Sequence, residues 1–284
     1  MLSYRHSFHA GNHADVLKHL VLLRLLAHLN RKDGAYWVID THAGSGRYDL
    51  TGPQAQKLGE FREGIGRLWT RDDLPAPLAE YVARVRDLNP DGRLAHYPGS
   101  PWLAWKALRS QDRLRLFELH SSDSRLLQDC FREAGRQVTV TAGDGIAGLK
   151  ALLPPPPRRG LVLIDPSYET REDYGAVVKA LRDSQQRFAT GTYALWYPLL
   201  ARSESRELPR RLRKLPLRSW LDVSLTVAAP RSDGLGMQGS GVFVINPPWT
   251  LEAELRECLP LLAAVLGQDG AGRYNLERWE AETA

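Results

Sequence analysis

The chain of 284 residues, 43% of them hydrophobic, is long enough for one large α/β domain with an insertion and too apolar for wholesale disorder. Two cysteines, Cys130 and Cys258, exclude a disulfide framework and a structural zinc site, and no apolar run is long enough to cross a bilayer. The formal net charge of +5, from 38 basic and 33 acidic residues, suits a polyanionic partner, and we expect a soluble cytoplasmic protein.

The first predicted element is a helix over residues 14–29, where apolar residues recur at helical spacing. The polar segment before it carries aromatic residues and histidines, and we interpret it as an arm that contacts the substrate. The helix would bring Lys18 and His19 to the carboxylate end of a cofactor. Imidazole is a common metal ligand, but the four histidines within the first 19 residues match no standard ligand spacing, so we predict no metal site.

The chain then alternates between strand patterns and helix patterns. The predicted strands lie at 36–39, 113–119, 137–145, 161–168, 192–198, 221–228 and 241–249. The predicted helices between them lie at 122–134, 146–153 and 171–188. This alternation predicts an α/β fold with a mostly parallel sheet and helices on both faces. No helix separates the last two strands, so we expect them to form an antiparallel edge pair.

Residues 50–100 interrupt this alternation. Prolines break several helical patterns in this stretch, and it contains no convincing strand, so we predict a small inserted helical subdomain. The part before it, 1–49, would hold the N-terminal arm, the first helix and the first strand. The part after it, 101–284, would hold the remainder of the main domain.

Three predicted strand ends carry residues suited to a nucleoside, and ligands of doubly wound sheets bind at the carboxyl ends of the strands. A glycine-rich turn at 40–46 follows the first strand and allows a close approach of the backbone to a ligand. Glu118 ends the second strand, where a carboxylate can accept hydrogen bonds from two ribose hydroxyls. Asp144 and Gly145 follow the third strand, where an adenine ring would lie. Each feature alone is equally typical of an ordinary turn, but together they predict one nucleoside pocket.

The fourth strand ends at Asp165-Pro166-Ser167-Tyr168, close to the [DNS]-P-P-[YFW] signature of enzymes that methylate amino groups on planar rings or amides. An adenine amino nitrogen is a poor nucleophile because its lone pair is delocalised into the ring. The carboxylate of Asp165 and the carbonyl of Pro166 can each accept one N–H, which localises the lone pair toward a methyl donor. Asp165 would stabilise the developing positive charge. Tyr168 would offer a flat face on which a flipped base stacks.

A second tetrapeptide, Asn246-Pro247-Pro248-Trp249, fits the same signature better letter for letter. Its position argues against a catalytic role, because it follows the expected antiparallel edge pair and not the fourth strand. The catalytic tetrapeptide should lie beside the cofactor turn. We therefore predict that residues 246–249 form a structural turn before the last helix.

The segment 206–218 is strongly basic, with five arginines and Lys214. Arginine supplies most of the positive charge of the chain, and its planar guanidinium suits both phosphate oxygens and bases. A GC-rich genome would raise the arginine content as well. The segment is therefore either a face that contacts phosphates or a solvated helix surface.

Several segments together resemble the bacterial RlmJ family, whose members methylate N6 of one adenine in 23S ribosomal RNA. These segments are MLSYRHSFHAGNHADVLKH, DTHAGSGRY, YPGSP, FELH, DGI, LIDPSYE, YALWYP and INPPW, and they extend from Met1 to about Trp249. The resemblance implies a Rossmann-like class I methyltransferase with S-adenosylmethionine as cofactor and adenine 2030 as target. It also implies 23S ribosomal RNA as the partner, free of protein or early in assembly; the oligomeric state does not follow from the sequence, and we expect a monomer.

The resemblance further implies individual site residues. Cofactor contacts would come from Lys18, His19, His42, Ser100, Glu118, Asp144, Gly145 and Asp165. Contacts to the substrate RNA would come from Tyr4, His6, Lys18 and Tyr168. Catalysis would fall to Asp165, Pro166 and Tyr168. The family motif is Asp-Pro-Pro-Tyr, so Ser167 is a departure that leaves the amine clamp intact and changes the stiffness of its loop.

Other functions share parts of this pattern. DNA adenine and protein glutamine methyltransferases carry the same tetrapeptide, so only the N-terminal block and the resemblance favour RNA. A non-catalytic RNA-binding protein on the same fold would not need Asp165. A nicotinamide oxidoreductase is disfavoured because no part of the chain completes a G-x-G-x-x-G motif.

Overall fold

The computed structural model of the chain describes residues 5–231 and 236–282. The helices are α1 (His13–Leu29), α2 (Pro53–Leu58), α3 (Ala76–Arg86), α4 (Ser100–Ala107), α5 (Ser121–Cys130), α6 (Gly145–Leu152), α7 (Arg171–Arg187), α8 (Ser203–Arg213) and α9 (Leu251–Leu266). The strands are β1 (Trp37–Asp40), β2 (Arg47–Asp49), β3 (His96–Pro98), β4 (Arg113–Glu118), β5 (Val138–Ala142), β6 (Gly160–Ile164), β7 (Thr192–Leu199), β8 (Ser219–Thr226), β9 (Gly239–Ile245) and β10 (Arg273–Glu280). Short 3-10 turns lie at His6–Phe8, Glu60–Glu63, Ile65–Arg67 and Gly135–Gln137.

The main sheet has the strand order β10-β8-β9-β7-β6-β1-β4-β5. Strands β5, β4, β1, β6 and β7 pair in parallel, whereas β9 runs antiparallel to both of its neighbours, β7 and β8. This arrangement confirms the predicted Rossmann-like α/β sheet, which is mostly parallel with an antiparallel edge. The edge holds one strand more than expected, because β10 pairs with β8. The sequence of β10, RYNLERWE, is charged and partly exposed, so it lacks the hydrophobic pattern of a strand.

The core lies on both faces of this sheet. Strand β6 is buried at every residue, as expected for a parallel strand covered on both sides. On one face lies α1, in which every residue from Ala14 to Leu26 is buried. On the other face, α7 and α8 contribute Val177 and Leu208 to the second half of the core. Although α1 is strongly apolar, no helix of the described residues is long and apolar enough to cross a membrane.

The stretch 50–100 closes over the turn that precedes α1. The backbone N–H of Ile65 donates to the carbonyl of Gly11 at 2.9 Å. A Cβ on Gly64 would come within 2.1 Å of that carbonyl oxygen, so this contact requires glycine. The stretch contains α2, α3 and the short strand β3, which pairs with β2 in a two-stranded sheet that the sequence analysis did not anticipate. Each of these two strands has only three residues, which are too few to show an alternating pattern. The boundaries of the inserted subdomain stay a prediction.

Candidate active site

A cavity of about 840 Å³ opens at the carboxyl ends of β1, β4, β6 and β7, with α1 and the residues before it on one side. Every described residue that the sequence analysis assigned to a site borders this cavity. They are His6, Lys18, His19, His42, Ser100, Glu118, Asp144, Gly145, Asp165, Pro166 and Tyr168. Tyr4 lies outside the described residues. The tertiary structure thus collects residues from distant parts of the chain at one edge of the sheet.

Asp40 ends β1 and is buried. Its Oδ2 accepts a hydrogen bond from Ser100 Oγ at 2.7 Å, and its Oδ1 accepts one from the backbone N–H of His42 at 3.2 Å. Burial raises the pKa of Asp40 to about 7, opposed by the bond from Ser100 and assisted by the nearby charge of Asp165. One carboxyl group thereby positions both Ser100 and the backbone at His42.

Glu118 holds the glycine-rich turn that follows β1. Its Oε2 accepts a hydrogen bond from the backbone N–H of Gly44 at 2.8 Å, and its Oε1 accepts one from the N–H of His120 at 2.7 Å. Burial raises the pKa of Glu118, while these backbone bonds oppose the rise. A carboxylate has about four lone-pair sites, so both oxygens retain capacity for further donors. Glu118 therefore combines a structural role with a free acceptor surface at the cavity.

Asp144 caps the N-terminus of α6. Its Oδ1 accepts hydrogen bonds from the backbone N–H groups of Ile146 at 2.8 Å and Ala147 at 3.1 Å, as an N-cap residue does. The next residue, Gly145, lies against the end of β1, where a Cβ would come within 2.2 Å of the carbonyl oxygen of Thr41. The Asp-Gly pair thus has a local structural reason as well as a place in the cavity wall.

Lys18 connects the N-terminal helix to the tetrapeptide after β6. Its Nζ lies 2.6 Å from Asp165 Oδ2 and 2.7 Å from Asp15 Oδ1. Burial would lower the pKa of Lys18, but the two carboxylates outweigh burial and hold it well above its ordinary value. Lys18 is therefore a cation that fixes one oxygen of Asp165 and leaves the other oxygen available.

Asp15 is the buried centre of this network. Its Oδ2 accepts hydrogen bonds from His6 Nε2 at 2.9 Å and from the backbone N–H of Gly11 at 2.8 Å. Burial would raise the pKa of Asp15, but the charges of His6 and Lys18 outweigh it and hold the pKa well below its ordinary value. Asp15 therefore holds His6 and the backbone at Gly11, in the segment predicted to contact the substrate, beside its ion pair with Lys18.

The sequence analysis did not single out Asp15. A signal was present, since Asp15, Lys18 and His19 have the i, i+3, i+4 spacing that places side chains on one face of a helix. That spacing is common on exposed helices, where it indicates only surface ion pairs. Only the burial of α1 makes it informative.

His19 is buried and neutral. Burial lowers the pKa of His19 to about 3. Its Nδ1 is hydrogen-bonded to the hydroxyl of Tyr97 at 2.7 Å, whereas Nε2 has no hydrogen-bond partner among the described residues. Buried polar atoms are rarely left unpaired, so Nε2 fits a polar group that a bound cofactor would supply.

The other N-terminal histidines have separate surroundings. His9 Nδ1 lies 3.0 Å from the carboxylate of Glu60, whereas His6 faces Asp15. His13 is half-buried, and burial lowers its pKa to about 4. Within residues 5–231 and 236–282, no three potential metal ligands of the types His, Cys, Asp or Glu lie together.

Tyr168 lies in the cavity wall and presents little of its ring to the cavity. The side chain is only 2% exposed, its hydroxyl donates to the carbonyl of Trp196 at 2.8 Å, and its ring packs on Tyr174 with a centroid distance of 4.6 Å. A base could reach only the part of the ring that borders the cavity. Stacking on Tyr168 stays a prediction.

Trp196, near the carboxyl end of β7, is a second aromatic residue of the cavity wall. It is half-buried, and its Nε1 has no hydrogen-bond partner among the described residues. The sequence assigns no role to Trp196 beyond its place in the segment YALWYP, because a tryptophan in a strand is typical of a core.

Asn246 lies at the end of the sheet opposite the cavity, because it follows β9, which runs antiparallel to β6. Its Nδ2 donates to the carbonyls of Ala189 at 2.9 Å and Gly191 at 2.7 Å. The tetrapeptide at 246–249 leads directly into α9, which begins at Leu251. It has the geometry of the structural turn that its sequence position predicts.

Comparisons with known proteins found similar sequences and a similar fold. The family model described as Ribosomal RNA large subunit methyltransferase D, RlmJ, matches residues 33–280. The chain is 49% identical to Ribosomal RNA large subunit methyltransferase J of Haemophilus influenzae, over 98% of both chains. It is also 49% identical to the Escherichia coli K12 protein of the same name, over 96% of both. Among solved structures, a Legionella pneumophila protein superposes with a TM-score of 0.88 at 38% identity, covering 95% of this chain and 98% of that one.

Proposed function

Since the chain belongs to the RlmJ family of ribosomal RNA large-subunit methyltransferases, we propose that it methylates N6 of one adenine in 23S ribosomal RNA, at position 2030. The methyl donor is S-adenosylmethionine, whose sulfonium supplies an electrophilic methyl group when bound. The specific chemistry rests on one observation: Asp165 and Pro166 border a large cavity at the end of β6 while Lys18 holds one oxygen of Asp165.

The proposed reaction uses the free oxygen of Asp165 and the carbonyl of Pro166 as two acceptors for the N–H groups of the adenine. Lys18 supports this role because a carboxylate fixed at one oxygen presents the other in a defined direction. With both N–H groups bound, the nitrogen lone pair is directed away from the ring. Asp165 then stabilises the positive charge that develops on N6, and the excess proton leaves to Asp165 or to water. Ser167 does not disturb this clamp, because neither acceptor belongs to residue 167.

The remaining predicted residues form the proposed cofactor side. Glu118, with lone pairs to spare, would accept the ribose hydroxyls, and Asp144 with Gly145 would border the adenine ring. His19, through its unpaired Nε2, would meet the methionine end together with Lys18, His42 and Ser100. The cavity volume of about 840 Å³ supports a ligand of this size, because ligand pockets commonly span roughly 300–1,000 Å³.

The substrate side would receive the flipped adenine. Flipping a base costs a few kcal/mol, and aromatic stacking returns roughly 1–3 kcal/mol per base. Trp196 is half-buried whereas Tyr168 is buried, so Trp196 is the better candidate for this contact, with Tyr168 supporting it through its hydrogen bond. His6 and Lys18 would contact the RNA from the N-terminal side. Tyr4 remains part of the proposal on the resemblance alone.

Incubation with labelled S-adenosylmethionine tests the proposal. The substrate is deproteinised 23S ribosomal RNA from a strain that lacks its own enzyme, and nuclease digestion with mass spectrometry maps the label. We expect one methylated adenine, with label on N6, and no label with the Asp165→Asn variant. Parallel reactions with DNA and with protein extract address the related chemistries. Label on DNA or on protein glutamine, with none on the RNA, would reject the proposed substrate.

A further inference from the structure

Helix α8 carries a line of cations that begins at the cavity. Arg202, the N-cap residue of α8, borders the cavity, and Arg206, Arg210 and Lys214 follow at intervals of four residues. All four side chains are exposed. Residues four apart lie on one face of a helix, about 5–6 Å from one another, so these side chains form a line about 18 Å long. We call these four residues the α8 stripe.

The orientation of α8 is fixed by its opposite face. Ser205, Leu208 and Leu212 are buried, and Ser205 Oγ donates to the carbonyl of Pro198 at 2.6 Å. The backbone N–H of Leu200 in turn donates to Ser205 Oγ at 3.1 Å. These contacts attach the start of the helix to the end of β7, so the stripe extends from the cavity mouth in a fixed direction.

One arginine of this segment serves the fold, and it differs from the stripe. Arg213 turns inward, where its guanidinium nitrogens lie 2.7 Å from Asp222 and 2.7 Å from Glu277 and its plane lies over Trp220. By contrast, no ion pair between described residues includes a residue of the α8 stripe. Glu204 pairs instead with Arg171 of α7. The stripe therefore remains available to a partner.

Helix stability explains only half of the stripe. Cations near a helix C-terminus interact favourably with the helix dipole, which accounts for Arg210 and Lys214. The same dipole disfavours cations at the N-terminus, yet Arg202 and Arg206 lie in that half. Residues 202–214 hold six basic and two acidic residues, so the helix that begins at the cavity carries a local net charge of +4. Such concentration beside a site suits a polyanion that enters it.

We propose that the α8 stripe binds consecutive phosphates of the RNA strand next to the target nucleotide and leads that strand away from the cavity mouth. This proposal rests on the proposed function for the identity of the RNA. Arginine and lysine contacts to phosphates position a nucleic acid without reading its sequence. The stripe would thus add affinity and register, while the cavity selects the adenine.

The test is the salt dependence of RNA binding by a triple variant, Arg206→Gln with Arg210→Gln and Lys214→Gln. Arg202 is left in place because it borders the cavity. Binding to a fragment of 23S ribosomal RNA that contains the target hairpin is measured by fluorescence anisotropy, which needs no turnover. Each lost phosphate contact lowers the slope of log Kd against log salt by about 0.7–0.9, so we expect a reduction of about 2–3.

A control variant also removes three positive charges, but beside β5, the outermost strand on the other side of the sheet. Arg125, Arg132 and Arg136 are exposed on α5 and the turn before β5, and their triple replacement by Gln should leave the slope unchanged. The double variant Arg206→Lys with Arg210→Lys should also keep the wild-type slope, because it retains both positive charges. In methyl transfer, the stripe variant should raise KM for the RNA on the order of tenfold or more without changing kcat.

If the stripe variant and the control variant had equal salt slopes, the proposed role of the α8 stripe in phosphate binding would be overturned. That result is distinguishable from failure of the proposed function, in which the wild-type protein leaves 23S ribosomal RNA unlabelled. Thermal melts exclude a folding defect, which is not expected for exposed side chains. If the stripe variant alone were unfolded, the single variants Arg206→Gln and Arg210→Gln would each be expected to lower the slope by about 0.7–0.9.

Discussion

Two tetrapeptides of nearly the same composition occupy opposite ends of one sheet. Asp165-Pro166-Ser167-Tyr168 follows the parallel strand β6 and borders the cavity, whereas Asn246-Pro247-Pro248-Trp249 follows the antiparallel strand β9 at the far edge. Asp165 Oδ2 accepts a hydrogen bond from Lys18, and its Oδ1 has no hydrogen-bond partner among the described residues, whereas Asn246 gives both amide hydrogens to loop carbonyls. Strand direction, and not the letters of the motif, determines which of the two borders the large cavity.

The aromatic residues of the two tetrapeptides differ in solvent exposure, and the residue beside the cavity is the more buried of the two. Trp249 is 68% exposed and lies under the guanidinium of Arg31, whereas Tyr168 is buried. The more exposed aromatic ring thus belongs to the tetrapeptide remote from the cavity. The ring beside Asp165 is held in place by packing and by a hydrogen bond, which is the arrangement that a precise site requires.

The largest expected effect separates the two tetrapeptides directly. Asp165→Asn should lower kcat by on the order of 100-fold or more, because the amine loses its charged acceptor. Calorimetry should still detect binding of S-adenosylmethionine. Asn246→Ala, as the matched change at the far edge, should keep kcat within about twofold. Normal turnover of the first variant with loss of turnover in the second would transfer the site to the other end of the sheet.

Removing Asp15 should show how strongly the cavity edge depends on buried charge. Asp15→Ala leaves His6 and Lys18 without their shared partner and should lower the free energy of unfolding by about 3–5 kcal/mol, measured by urea denaturation. Glu60→Ala removes a half-exposed partner of His9 and should cost about 1 kcal/mol or less. Equal losses for the two variants would mean that the buried network contributes no more than a surface pair.

Glu118→Ala should weaken the binding of S-adenosylmethionine by about 10–100-fold, since hydrogen bonds to a charged group contribute roughly 1.5–3 kcal/mol. Isothermal titration calorimetry measures the affinity, and Asn246→Ala serves again as the variant without an effect. An unchanged affinity in Glu118→Ala would remove the ribose assignment and leave Glu118 as a support for the turn at Gly44.

The remaining expected effect concerns pH. The pKa of Asp40 is raised to about 7 in the folded protein from an ordinary value of 3.8, so between these values the unfolded chain binds fewer protons. The free energy of unfolding should therefore fall as pH rises from 4 to 7, by at most about 1.4 kcal/mol per pH unit from this residue. Asp40→Asn should flatten that dependence in denaturation curves. A slope identical to that of the wild type would show that Asp40 titrates normally.

Much of the fold follows from local pattern. The strands from β4 to β9 lie within a few residues of their predicted positions, because each repeats a hydrophobic signal over several residues and is bounded by turns. Strands β2 and β3 have three residues each and carry no such signal. Strand β10 is an edge strand whose charges protect it from further pairing. The same charges remove the hydrophobic pattern by which a strand is recognised in a sequence.

The sequence by itself determined which residues end the central strands, and therefore placed Glu118, Asp144 and Asp165 at one edge once the strands were taken as parallel. That inference needs only short-range information, since a strand and its final residue are adjacent in the chain. The tertiary structure alone decided what each of these groups contacts. The bond from Lys18 to Asp165 joins residues separated by 147 positions, and the burial of Asp15 depends on every element around α1. Long-range packing sets the surroundings of a charge, and those surroundings decide whether a carboxylate is a surface group or part of a site.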